Sequence, residues 1–169
     1  MLRLGVVTEP EGENRVAIVP KSVKKLSKAG FEVVIQSGAG IAASYLDSEY
    51  EDYGGVIVDR DQAINSPVLI SIHLPEISEL SEGQIVACVA DPFRNPDRVR
   101  ECLDRKIVLL SMDMIPRRLS RAQSMDVNSS QDNLAGYKAV LLGAASVARG
   151  IPMMTTSAGT VRPAKVVVM

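Results

Sequence analysis

Tryptophan is absent, phenylalanine occurs twice and tyrosine four times, so aromatics make up only 4% of the 169 residues. A core without large rings has to be assembled from Val, Ile, Leu, Ala and Met, and an apolar share of 46% supplies them. Excess charge of one sign is also lacking: 19 basic residues face 20 acidic ones. That balance removes the electrostatic footprint with which proteins bind nucleic acid or an anionic membrane surface. There is one histidine, His73, and there are two cysteines, Cys88 and Cys102, set apart without metal-ligand spacing. Both thiols are expected to be buried small hydrophobes in a reducing compartment rather than a disulfide. The longest mostly apolar run, residues 139–148, is half of what a bilayer span requires. The chain passes from Met1 straight into a strand-like segment, leaving no signal-peptide pattern. Neither a nucleophile elbow nor a phosphate loop is present.

What is there is an alternation of β-branched runs with short helical patterns. Residues 2–8, 31–37, 55–59, 67–73, 84–90 and 106–112 read as strands. Pro20 opens a helix where a missing N–H costs least, with Val23 and Leu26 on its inner face and Gly30 as its stop. Residues 96–105 form a second helical pattern, with Val99 and Leu103 inward. Strands apolar on both faces and separated by helices predict an α/β fold with a parallel sheet covered on each side, flavodoxin- or Rossmann-like. The strand order is not legible.

The texture changes after Met114. Residues 115–130 are rich in Arg, Ser, Gln, Asp and Asn and hold no sustained period, and a long polar loop in a compact domain points to function. Ser129 or Ser130 then caps a predicted helix over residues 131–149, ended by Gly150 and Pro152. Leu134, Tyr137, Leu141, Ala144 or Ala145, and Ala148 recur along it at helical spacing, while Gly136, Ala139 and Gly143 allow another backbone to approach closely. Residues 164–169 read as the opening strand of a further unit. The predicted organisation is a first domain over residues 1–130, a connecting helix over 131–150, and a linker with the start of a dinucleotide-binding domain over 151–169.

One pattern tempts a premature assignment. Gly38-Ala39-Gly40-Ile41-Ala42-Ala43 follows a strand and fits G-x-G-x-x-(G/A), and Asp59 lies about 20 residues further on, as in a dinucleotide fingerprint. The fingerprint also needs one continuous helix after the glycines. Here Ser44-Tyr45-Leu46-Asp47-Ser48 interrupts it, with Asp47 as the cap of a separate short helix through Tyr53. A tight turn after a strand is the expected structure.

The stronger signal is Arg118-Leu119-Ser120-Arg121-Ala122-Gln123-Ser124-Met125-Asp126-Val127-Asn128-Ser129-Ser130-Gln131, followed by Asn133-Leu134-Ala135-Gly136-Tyr137-Lys138. This stretch resembles the nicotinamide-side loop and following helix of the NAD(H)-binding alpha components of proton-translocating NAD(P) transhydrogenases. Pro152-Met153-Met154 and Ala158-Gly159-Thr160-Val161 continue the match, and Asn14-Arg15-Val16-Ala17 resembles the opening of the wider family shared with alanine dehydrogenase. The resemblance covers essentially the whole chain. It places the Gly38–Gly40 turn within the first domain and outside the nucleotide site.

It further implies direct hydride transfer between NAD(H) here and NADP(H) on a partner component, coupled to proton movement by a membrane-spanning subunit. The component is then a cytoplasmic homodimer, peripheral to the inner membrane through its partner. With hydride passing ring to ring, no side chain need act as general acid or base; the protein supplies orientation and excludes water. A nicotinamide carboxamide presents one carbonyl and one NH2 group. Arg118 and Ser129 can donate to the carbonyl and Asp126 can accept from the NH2 group, with Ser120 in the same cofactor-side set and Gln123 reaching the second cofactor. Arg117, beside Arg118, is the alternative arginine, since the chain reads Pro116-Arg117-Arg118-Leu119 where the familiar loop has one arginine before an apolar residue. The glycine-rich turn expected to grip the pyrophosphate is not found in these residues, so the chain by itself is expected to be inactive and to bind NAD(H) weakly. Two other readings remain: an alanine-dehydrogenase-like oxidoreductase, disfavoured because that family also uses a lysine and a histidine where this chain has His73 and Val89 or a neighbour, and a non-catalytic interaction module.

Overall fold

The computed structural model describes residues 1–168. It divides into two units, Met1–Met125 and Asp126–Met169.

In the first unit the apolar runs become β1 (Leu2–Val6), β2 (Phe31–Gln36), β3 (Val56–Val58), β4 (Val68–His73), β5 (Ile85–Val89) and β6 (Val108–Ser111). Between them lie α1 (Pro20–Lys28), α2 (Asp47–Asp52), α3 (Arg60–Ile64) and α4 (Pro96–Asp104). All six strands are parallel, in the order β3-β2-β1-β4-β5-β6. This is the doubly wound order, in which the chain starts at the middle and winds outward in both directions. The order reverses between β1 and β4, so the crevice at their C-terminal ends is the topological switch point.

Alternation along the strands sorts the side chains onto two faces. Leu4, Val6, Val33 and Ile35 pack with Val23 of α1 and Tyr50 of α2. Val7, Leu69, Val86 and Cys88 pack with Ala63 and Ile64 of α3 and Cys102 of α4. Each fully buried aliphatic side chain contributes roughly 1.5–3 kcal/mol, so the two clusters fix the sheet between its helices. The thiols lie inside: burial pushes the Cys88 thiol up to about 12 and raises that of Cys102 as well, which keeps both unreactive.

Four expectations are corrected. On α4 it is Cys102 that faces the core, while Leu103 is 74% exposed, because the helix is rotated by one position from the pattern read in the sequence. The sheet is not covered on every side: on β6, Val108 and Leu110 point away from α4 and are about half exposed, at 48% and 50%. Asp47 is the first residue of α2 rather than its cap, and its carboxylate turns back to Ser37 and Gly38. Finally, α3 has no forecast in the sequence reading. At five residues it is too short to show a period, and it is started by Asp59, whose Oδ1 accepts from the Gln62 N–H at 2.7 Å.

The second unit consists of α5 (Val127–Ser146) and an antiparallel hairpin of β7 (Met154–Thr156) and β8 (Gly159–Val161). The helix starts and ends earlier than predicted, and its cap is Asp126 rather than Ser129 or Ser130. The Asp126 carboxylate reaches the third N–H of the helix, and the two serine hydroxyls bond back into the same turn. No residue of α5 is buried; Leu134, Tyr137 and Leu141 recur on one side and are exposed. The hairpin was not foreseen, and the predicted strand over residues 164–169 does not form through residue 168. A strand needs a partner for its N–H and C=O groups, and among the described residues Val166, Val167 and Val168 have no strand beside them and lie exposed. Met169 falls outside the described residues.

Candidate functional site

The tempting glycine turn is occupied from within. The Gly38 N–H donates to both oxygens of Asp47, at 2.9 and 3.2 Å, and Ser37 Oγ donates to the same carboxylate at 2.7 Å. The Ala39 and Ile41 N–H groups donate to the carbonyls of Gln36 and Gly38. A Cβ on Gly40 would stand 2.7 Å from the ring of Tyr50. That ring is fully buried, and its hydroxyl donates to the Ile18 carbonyl at 3.0 Å. Asp59, the acid at fingerprint distance, is spent on capping α3. Glycine is thus needed here to let Tyr50 approach, and the amides that would face a phosphate already have acceptors within the chain.

Polar side chains gather instead at the C-terminal ends of β1 and β4. Arg15 donates through Nε to Glu13 Oε1 at 2.8 Å and through Nη2 to Oε2 at 2.6 Å. His73 Nε2 lies 2.9 Å from the same Oε2. The hydrogen bond from the Arg15 side chain, joined by those from its backbone and from His73, holds the Glu13 carboxyl down at about 2 against the opposing effect of burial. The sequence reading offered Arg15 as a carboxylate binder; the carboxylate it holds is the chain's own. Glu13 escaped that reading because a glutamate in a charged loop gives no signal. A depressed carboxylate stabilises the fold fully above its unfolded value near 4.5 and loses that contribution as pH falls through about 2. Glu13→Gln is therefore expected to lower stability at pH 7 and to flatten the fall in stability between pH 5 and 2. Denaturant midpoints measured across that range check it.

The cofactor-side set from the sequence is split between the units. Arg118, Ser120 and Gln123 lie exposed in the first, on a chain of turns closed by Leu119 N–H to Pro116 O at 3.2 Å, Ala122 N–H to Leu119 O at 2.8 Å and Met125 N–H to Ala122 O at 2.9 Å. Ala122, only 5% exposed, anchors these turns. Asp126 and Ser129 open the second unit and are brought together. The Ser129 N–H donates to Asp126 Oδ1 at 3.0 Å and Ser129 Oγ donates to Oδ2 at 2.6 Å. The hydroxyl's single proton is thus directed at Asp126, which leaves its lone pairs to accept. Ser129 donates to a carbonyl only by giving up that bond.

The fit to a nicotinamide is chemical: a carboxylate, a hydroxyl and nearby guanidinium groups are the set that an amide with one acceptor and two donors requires. Among the described residues no His/Cys/Asp/Glu group could hold a metal ion, and no helix is long and apolar enough to cross a membrane. An open depression of about 410 Å³, lined by Lys24, Lys28, Phe31 and Tyr53, carries no acid–base pair.

Comparison with known proteins agrees with this anatomy. Residues 5–135 match the family described as alanine dehydrogenase/PNT, N-terminal domain. The chain is 42% identical over 167 residues to the first of the polypeptides that make up the NAD(P) transhydrogenase alpha subunit of Rhodospirillum rubrum, covering 93% of this chain and 43% of that protein. It therefore spans less than half the length of that relative. The solved transhydrogenase structure from Sinorhizobium meliloti superposes with a TM-score of 0.89 at 38% identity, over 96% of this chain and 50% of that one. An L-alanine dehydrogenase structure, at 22% identity and a TM-score of 0.65 over 71% of this chain and 34% of that one, shares the fold. With its doubly wound sheet and the sequence match running through the first unit into α5, the chain belongs to the alanine dehydrogenase/PNT N-terminal domain family.

Proposed function

We propose that this chain is the nicotinamide-side portion of an NAD(H)-binding transhydrogenase component, and that residues 118–129 orient the ring for hydride transfer to or from NADP(H) on a partner subunit. The observation that carries the reading is the Asp126–Ser129 pair at the start of α5, preceded by a polar loop ordered into turns. The bound nicotinamides supply the redox chemistry. The chain's residues bind, orient and exclude water. Asp126 accepts from the carboxamide NH2 group, Arg118 (or Arg117) donates to its carbonyl, Ser120 and Ser129 complete the polar lining, and Gln123, bearing both a donor and an acceptor, meets the second cofactor. Fixing the ring's rotation matters because hydride transfer depends steeply on the distance and angle between the two rings.

Nothing in the Gly38–Gly40 turn grips a pyrophosphate, so this chain alone binds NAD(H) weakly. In the assembly it acts as a homodimer, held to the membrane through a membrane-spanning partner whose proton movement is coupled to the hydride step. The exposed apolar side of α5 supports association, since a helix of this composition is stable in water only when covered. The test is hydride exchange between NADH and an oxidised NADP analogue after mixing with the NADP(H)-binding component. Exchange that depends on both components supports the reading; alanine oxidation, or no redox activity in the full assembly, overturns it.

A further inference from the structure

At the switch point, β4 runs on to His73 while β1 stops at Val6, which pairs with Ile70. The N–H groups that follow on β4 therefore have no strand on the β1 side. The register between β4 and β5 also slips between Ile70 and His73, so two consecutive N–H groups turn toward the same side. Both are taken by one carboxylate: Ile72 N–H donates to Glu9 Oε1 at 2.6 Å and His73 N–H to Glu9 Oε2 at 3.0 Å. One oxygen per N–H is how a backbone concavity holds a bound anion. It lies in the crevice where open α/β sheets receive ligands.

We propose that this pair of N–H groups is an anion site which the chain fills with its own Glu9, and which accepts a small monocarboxylate such as formate once that side chain is removed. The segment that carries Glu13 and Arg15 is then latched to β4 by Glu9 near its start, so Glu9 positions both residues without touching a cofactor. The switch point of the first domain is also closed to the phosphates of a dinucleotide, because its donors already have a negatively charged partner. The site is independent of the nicotinamide reading and stands or falls separately.

The test is chemical rescue. Glu9→Ala is expected to unfold at a lower temperature than the native chain, and formate is expected to restore the midpoint saturably. With only three heavy atoms formate is weak, half-saturating at on the order of 10 mM. Chloride at equal ionic strength is expected to do nothing. In the same titration the Ile72 and His73 amide resonances shift in the variant and stay still in the native protein. The inference is overturned if Glu9→Ala is as stable as the native chain, if formate acts no better than chloride, or if the native protein responds equally. Should Glu9→Ala fail to fold, Glu9→Gln decides. Its single carbonyl oxygen can serve one N–H well, so hydrogen exchange is expected to quicken at Ile72 or His73; unchanged exchange at both overturns the inference.

Discussion

Replacing Asp126 with asparagine is expected to leave α5 capped and folded while cutting hydride exchange in the reconstituted assembly on the order of 100-fold. Asparagine caps a helix about as well as aspartate, so the bond to the Ser129 N–H survives through the remaining carbonyl oxygen. The second oxygen becomes an NH2 group, which repels the carboxamide NH2 it should receive and reverses the bond to the Ser129 hydroxyl. The ring then has no fixed rotation. Asp126→Ala removes cap and acceptor together, costing about 1 kcal/mol of helix stability besides the rate. Comparing the two separates a structural role from an orienting one. Single-turnover rates beside helix content by circular dichroism supply the comparison; equal turnover in Asp126→Asn and native protein would remove Asp126 from the site.

The largest stability effect is expected at Gly5, in the middle of the central strand β1. A Cβ there would lie 2.1 Å from the Ala63 carbonyl oxygen and 2.9 Å from Ser66 Oγ. The first of these is backbone at the end of α3, which cannot move away without breaking the packing of Ala63 and Ile64 in the core. Gly5→Ala is thus expected to cost about 3 kcal/mol, at the upper end for overpacking, and to lower the thermal midpoint by roughly 10 °C. A calorimetric scan reads this directly. A midpoint unchanged within two or three degrees would mean that α3 rides on the sheet more loosely than the packing implies.

Much of the first unit is legible in the amino-acid sequence. The six β-branched runs are the six strands, with edges shifted by at most two residues, because a strand buried on both faces leaves a continuous apolar mark. Pro20, Gly30 and Pro96 punctuate helices as their restricted or permissive backbones require. What failed was short or needed a partner. The five residues of α3 show no period; the β7–β8 hairpin is too brief to display alternation; the run at residues 164–168 has strand composition but no strand beside it. On α4 the choice between Cys102 and Leu103 is a rotation of one position, which nine residues cannot decide by pattern.

The candidate site divides in the same way. The polar types over residues 118–129, and their place before a helix rich in small residues, stand in the sequence. That Asp126 and Ser129 bond to one another, and that Asp126 rather than a serine caps α5, came from the backbone's entry into the helix. Glu9 and Glu13 gave no signal, since their partners at residues 72–73 are more than fifty positions away and meet them only through the pairing of β1 with β4.

Residue order alone was enough for the class of fold, the strands, the type of chemistry the polar loop can offer, and the suspicion against the Gly38–Gly40 turn. These follow from composition and local period, which each segment carries independently of the rest. The strand order, the bare face of β6, the ring that fills the space above Gly40 and the carboxylate that fills the switch point emerged with the folded chain. All four depend on which distant segments become neighbours. That is settled by how the two apolar faces of the sheet are covered, a property of the whole chain that no window of residues contains.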